Sequence, residues 1–269
     1  MEMSWVNNYV PLRFKFISEE DGEYLERSVP DYKKFVAYGC PTCRGKGTFL
    51  TPNGEVECDC AEQLMLYKHY TNANIGLNYQ RLSWEDYTGS DAAKAAMVDY
   101  LDHYDGMLNE GFGALFTGGP GLGKTLLSSL IGKELVKLGY TVFFATFAEM
   151  TTLLTKGWGN EEARSFFEKK VVRSDVFILD DVGKELRTKT NLAESTFDYV
   201  LRSRVANCRP VFITTNLTLP EMSQGYGSAL FSLLQEKSLV VNIQGEDFRR
   251  KAGDAALEYV RNGYTRAIS

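Results

Sequence analysis

The chain has 269 residues, 44% of them hydrophobic and 24% charged. That balance excludes a disordered polypeptide and allows one large domain or two modest ones, with enough apolar residues for a real core. A formal charge of −5 excludes a uniformly basic nucleic-acid binder, though not a local basic groove.

The charge is uneven along the chain. Residues 1–110 carry 10 Lys and Arg against 18 Asp and Glu, whereas residues 111–269 carry 20 against 17. The break near residue 110 predicts two parts that meet different partners. No run approaches the roughly 18 apolar residues of a membrane span. The start, MEMSWVNNYVPLRF, lacks the basic-then-apolar pattern of a secretory signal. A cytoplasmic protein with no membrane partner is expected.

Residues 1–35 show little periodicity. Residues 36–62 are turn-rich and hold four of the five cysteines, as Cys40-Pro-Thr-Cys43 and Cys58-Asp-Cys60. Pro52-Asn53-Gly54 between the pairs reads as a hairpin turn that would fold the second pair back onto the first. Without an export signal, such clustering points to a metal and not to disulfides. Four thiolates suit a closed structural Zn²⁺ site, with an iron–sulfur cluster as the alternative. Cys208 stands apart before an apolar run and reads as a small buried hydrophobe.

From about 63 to 110 the pattern is helical. Residues 92–108 are rich in helix formers, with Ser90 or Asp91 as cap, and Trp84, Tyr87 and the Gly-Ser-Asp turn at 89–91 read as a hinge. Beyond residue 112, five short apolar runs at 113–117, 141–146, 175–179, 211–215 and 238–243 are separated by helix-length segments. Runs apolar on both faces predict a parallel sheet covered by helices, an α/β fold.

The strongest motif follows the first run. Gly118, Gly119, Pro120, Gly121, Leu122, Gly123, Lys124 and Thr125 form an eight-residue phosphate-loop pattern between a strand and a helix at 126–138. The glycines let backbone N–H groups converge on phosphate, Lys124 reaches the β and γ phosphates, and the Thr125 hydroxyl ligates Mg²⁺. ATP and Mg²⁺ are therefore the expected ligands.

The third run ends in Asp180-Asp181. Asp180 is expected to hold Mg²⁺ through water, and Asp181 to orient and deprotonate the attacking water. The fourth run ends in Thr214-Thr215-Asn216, whose amide could hold the lytic water or γ-phosphate, and Arg249 near the C-terminus could also reach that phosphate. Between the second and third runs, Lys156, Trp158, Arg164, Lys169, Lys170 and Arg173 suit either a single-strand backbone groove or a solvated basic face. Lys184, Arg187 and Lys189 are equally ambiguous.

The order of the cysteine knuckle (YGCPTCRGKG), a helical segment, GGPGLGKT, VFILDDVG, VFITTN and GEDFRR resembles the DnaC/DnaI-type replicative helicase loaders, phage-encoded ones especially. These belong to the AAA+ group with the IstB-like transposition ATPases. The resemblance implies an AAA+ P-loop core at 111–269, a helical linker at 63–110, and an N-terminal zinc module at 1–62 that binds the replicative DNA helicase. It further implies contact with single-stranded DNA, self-association, and carry-over of Lys124, Thr125, Asp180, Asp181, Asn216 (sensor 1) and Arg249 (sensor 2).

One departure stands out. The family's arginine finger lies in the helix before the last strand, yet no Arg occurs from Pro210 to Phe248. An arginine finger contributes a factor of about 10³–10⁵, so slow hydrolysis is expected unless Arg202, Arg204, Arg209 or a partner supplies one. The alternatives to a loader are an IstB-like ATPase that delivers a transposase to DNA and a nucleotide-binding adaptor with negligible turnover.

Overall fold

The computed structural model describes residues 48–183, 191–262 and 268–269. Five strands, β3 (Gly113–Thr117), β4 (Val142–Thr146), β5 (Val176–Val182), β6 (Val211–Thr215) and β7 (Ser238–Asn242), form one parallel sheet ordered β4-β5-β6-β3-β7. The apolar runs fall on these strands because both faces are covered. Ala114 and Phe116 face one core cluster while Leu115 faces the other; Val176 and Ile178 divide from Phe177 and Leu179 in the same way.

One face is covered by α1 (Asp59–Asn72), α3 (Asp91–Asp102), α4 (Tyr104–Asn109) and α5 (Lys124–Lys137), with the short α2 (Leu77–Gln80) beside them. The other carries α6 (Phe147–Lys156), α7 (Glu161–Phe167), α8 (Asn191–Val205), α9 (Leu219–Tyr226) and α10 (Ser228–Glu236). Helix α11 (Arg249–Arg261) follows β7. The helix expected at 92–108 is broken at His103, whose backbone leaves the helical region (φ −116°), and Ser90 supplies the cap by accepting from the Ala93 amide.

Residues 63–110, expected as a helical linker, hold most of α1 with α2, α3 and α4 and a non-helical stretch at 81–90, and they are packed. Tyr67, Tyr70, Trp84, Tyr87, Met97 and Tyr100 share one core cluster with Phe116 and Ile178 of the sheet and Leu127 of α5. Trp84 and Tyr87 are therefore core residues and not a hinge. The charge break near residue 110 falls between α4 and β3, inside that continuous core.

The expected hairpin is present: β1 (Thr48–Thr51) pairs antiparallel with β2 (Gly54–Glu57), joined by Pro52 and Asn53. Its open end sets Thr48 opposite Glu57, immediately before the buried Cys58. Cys40 and Cys43 lie outside the described residues. Among the described residues no group of three or more His, Cys, Asp or Glu gathers as a metal site, so the zinc expectation has no structural support. Cys208 is exposed, contrary to expectation, because it closes the turn after α8 in a left-handed conformation (φ +48°). Among the described residues no helix is long and apolar enough to cross a membrane.

Candidate functional site

The phosphate loop leaves β3 at Gly118 and re-enters regular structure at α5. Gly118 adopts φ +140°, and a Cβ there would stand 2.2 Å from the Ile243 carbonyl oxygen. Gly121 adopts φ +77°, and its missing Cβ leaves room for the Asp247 carboxylate. No L side chain fits either place, which is the physical reason for glycine at both. The Phe248 amide also donates to the Gly121 carbonyl (3.0 Å), so the segment leading into α11 is fastened to the loop.

Sheet order brings the remaining groups together. Strand β6 lies between β3 and β5, so its end meets both the phosphate loop and the acidic pair. Lys124 Nζ donates to the Gly118 and Gly119 carbonyls (2.7 and 2.6 Å) and to Asn216 Oδ1 (2.7 Å). All three ammonium protons are directed, and phosphate oxygens offered at this loop compete for the same donors with a full negative charge.

The acids sit on a bulge. Leu179 pairs with Ile213 and Val182 with Thr215, so β5 holds one more residue than β6 over that interval. Asp181 takes a left-handed conformation there (φ +62°), and its amide donates to Thr214 Oγ1 at 2.9 Å. The same hydroxyl donates to Asp180 Oδ1 at 2.6 Å. Thr214 thus separates the two neighbours: Asp180 is drawn into the sheet and buried, while Asp181 is left half-buried at the rim. The motif pattern gave Thr214 no role; its signal was a hydroxyl beside two acids on the adjacent strand.

Thr125 Oγ1 donates to both Asp180 oxygens, at 2.9 and 3.2 Å. A hydroxyl and a carboxylate in contact are hard oxygen donors of the kind Mg²⁺ selects, so these residues fit the ion. Burial raises the Asp180 carboxyl above its ordinary range, opposed by the Thr214 and Thr125 hydroxyls. Burial likewise lowers Lys124, opposed by Asp180 and Asp181. Each charge is costly here, and a metal–phosphate pair compensates both.

A cleft of about 480 Å³ gathers Pro120 to Thr125 of the loop with Asp180, Asp181, Asn216 and Arg249. Its other wall, Tyr79, Leu82 and 86–89, comes from the segment around α2 and was not anticipated. Arg249 reaches the cleft from the start of α11, exposed and 3.9 Å from Asp247.

Arg204 is not an arginine finger. Its side chain is fully buried, and its two terminal nitrogens donate to the carbonyls of Val171, Val172, Asp175 and Pro210 and to Ser174 Oγ. It ties α8 to the turn before β5. Arg202, one face away, is exposed and paired with Asp198 at 2.8 Å. Lys170 also departs from expectation: it is buried, with Nζ 2.6 Å from Asn72 Oδ1. Trp158, Arg164, Lys169 and Arg173 do line a common surface hollow, with Trp158 68% exposed.

The sheet order, phosphate loop, acidic bulge and polar β6 terminus together define an ATP-binding P-loop protein of the AAA+ type. The chain belongs to the IstB-like ATP binding protein family, whose model matches residues 70–256. It is 31% identical over 143 residues to the IS5376 insertion-sequence ATP-binding protein of Geobacillus stearothermophilus, a match spanning 50% of this chain and 54% of that relative. It is 21% identical over 194 residues to the replicative helicase loader DnaC of Escherichia coli K12, spanning 70% of this chain and 77% of that one. The crystal structure of the DnaC helicase loader superposes with a TM-score of 0.55 at 23% identity, covering 63% of this chain and all of that one, which shows a shared fold.

Proposed function

We propose that the protein is an ATP-switched loader that binds the replicative DNA helicase and helps deposit it on single-stranded DNA, hydrolysing ATP slowly. The observation that carries this reading is the extent of the DnaC match: it runs along 77% of that loader, whereas the match to the insertion-sequence protein stops at 54%. A switch requires different partner affinity in different nucleotide states, and Arg249, lining the cleft from α11, would sense the γ-phosphate. Thr125 and Asp180 would hold Mg²⁺, which would supply charge neutralisation at the phosphates. Asp181 orients the attacking water and takes its proton, while Asn216 and Lys124 hold the phosphate end.

Slow turnover follows from the arginine inventory. Arg204 is committed to the fold, and Arg202 is the exposed guanidinium on α8 that a neighbouring subunit could receive. The hollow around Trp158, with Arg164, Lys169 and Arg173, suits a single strand by base stacking and phosphate pairing. The four cysteines Cys40, Cys43, Cys58 and Cys60 remain the proposed zinc set on their spacing in the sequence. Metal analysis of freshly purified protein should find one zinc per chain; neither zinc nor iron would refute that site.

The family match and the 31% identity favour a second reading, an IstB-like ATPase delivering a transposase to DNA. Pull-downs with the replicative helicase and with a transposase, each with ATP, ADP or neither, separate the two. Helicase capture in the ATP state supports the loader; absence of capture in every state overturns it.

A further inference from the structure

Beneath the α2 wall of the nucleotide cleft lies a socket built from buried polar side chains. Tyr70 on α1, Gln80 on α2 and Lys133 on α5 are each no more than 1% exposed. The Tyr70 and Lys133 side chains and the Gln80 backbone carbonyl meet Ser269, while the Gln80 side chain donates to the Ile75 carbonyl (2.8 Å). Ile268 is buried in the core cluster formed by α1, α5 and the sheet. The Ser269 amide donates to the Gln80 carbonyl (3.1 Å), and Tyr70 Oη donates to the Ser269 carbonyl (3.1 Å). Ser269 Oγ accepts from Lys133 Nζ (3.1 Å) and donates to the Leu82 carbonyl (3.3 Å).

Lys133 ties this socket to the cleft. Its Nζ also reaches the carbonyls of Tyr79 (3.3 Å), Gln80 (3.2 Å) and Leu82 (2.6 Å). Tyr79 and Leu82 line the nucleotide cleft, and Lys133 stands on the helix that begins with Lys124 and Thr125. The backbone of 79–82 therefore hangs between a nucleotide-facing surface and a pair of docked residues, joined by one buried ammonium. Losing the pair would take from the Tyr70 hydroxyl its Ser269 acceptor and from Lys133 one of its four acceptors, and a buried polar bond left unmade is costly.

We propose that Lys133 and the docked Ile268–Ser269 pair are positioning elements for the nucleotide site: seating the pair fixes the 79–82 wall, and nucleotide affinity depends on the seat being occupied. Linkage makes the relation reciprocal. If loss of the seat weakens ATP by some factor, ATP tightens the seat by the same factor.

The test uses the full chain with a fluorescent (mant) ATP and Mg²⁺. Ile268→Asp places a charge in the apolar part of the seat and should raise the Kd by about fivefold or more, the lower end of measured couplings between sites. In the wild-type protein, saturating ATP should slow hydrogen exchange at the Ser269 amide by a similar factor, a measurement that needs no variant to fold. A folded Ile268→Asp protein that binds within twofold of wild type overturns the proposal. So does Ser269 exchange that is the same with and without ATP, because a merely structural contact need not respond to nucleotide.

Discussion

Lys124 Nζ donates to Asn216 Oδ1 at 2.7 Å across the boundary between the phosphate loop and the end of β6. The contact exists because β6 is inserted between β3 and β5, which places a side chain distant in sequence beside the loop. Asn216 is therefore held by the sheet against the lysine of the phosphate loop. Asn216→Ala should bind ATP within several-fold of wild type and lose about 10²–10³ in turnover, the usual cost of one oriented polar group. Equilibrium binding and single-turnover hydrolysis, measured on the same preparation, check both halves.

The acidic pair should divide by role. Asp181→Asn should lower hydrolysis by about 10²–10⁴ with binding preserved, as expected for loss of a general base. Asp180→Asn should instead weaken Mg²⁺-dependent binding. Equal effects of both changes on nucleotide affinity would contradict the assignment.

Thr214→Val removes the hydroxyl that bridges the Asp181 amide and Asp180 Oδ1. A loss of about 1–3 kcal/mol of stability is expected, because two partners buried or half-buried in the bulge lose their bond. Urea unfolding measures it, and nucleotide affinity should fall in the same variant as Asp180 is released.

Arg204→Ala should destabilise the fold by about 3 kcal/mol or more, since one buried guanidinium serves five acceptors. Arg202→Ala should change stability by no more than about 0.5 kcal/mol. If Arg202 acts across a subunit boundary, its loss slows hydrolysis in the assembled protein only, seen by comparing turnover at low and high protein concentration.

Lys133 predicts a pH dependence. Burial, with Lys137 adding to it, lowers this amine from 10.5 to about 7; Glu134 and Asp86 oppose, and the Tyr70 ring lies 5.4 Å away. Between those values the unfolded chain holds more protons than the folded one, so stability rises with pH across the window. One such group contributes up to about 1.4 kcal/mol per pH unit. Lys133→Met should flatten the rise in unfolding free energy from pH 7 to 9; an unchanged slope would contradict it.

Local chemistry made much of this site readable from sequence. The strand runs at 113–117 and 211–215 coincide with β3 and β6, and the phosphate loop and Asp180 stand where the spacing put them. What sequence could not supply was register and partnership. The bulge that parts Asp180 from Asp181 depends on pairing with β6, and Arg204 became structural because α8 packs it against the turn before β5. The wall at 79–89 looked like a linker because aromatic residues such as Trp84 and Tyr87 carry no periodic signal over so short a stretch, although their burial is complete enough to place them in the core. Cys208 misled because an apolar strand follows it, while its own backbone turns out into solvent.

The proposed function requires that ATP govern association with a replicative helicase. Native mass spectrometry of the full chain mixed with a bacterial replicative helicase, with ATP, with ADP and without nucleotide, decides it. A defined complex is expected in the ATP state, depleted with ADP and lost in Lys124→Ala. A spectrum showing only the separate proteins in every nucleotide state would contradict it.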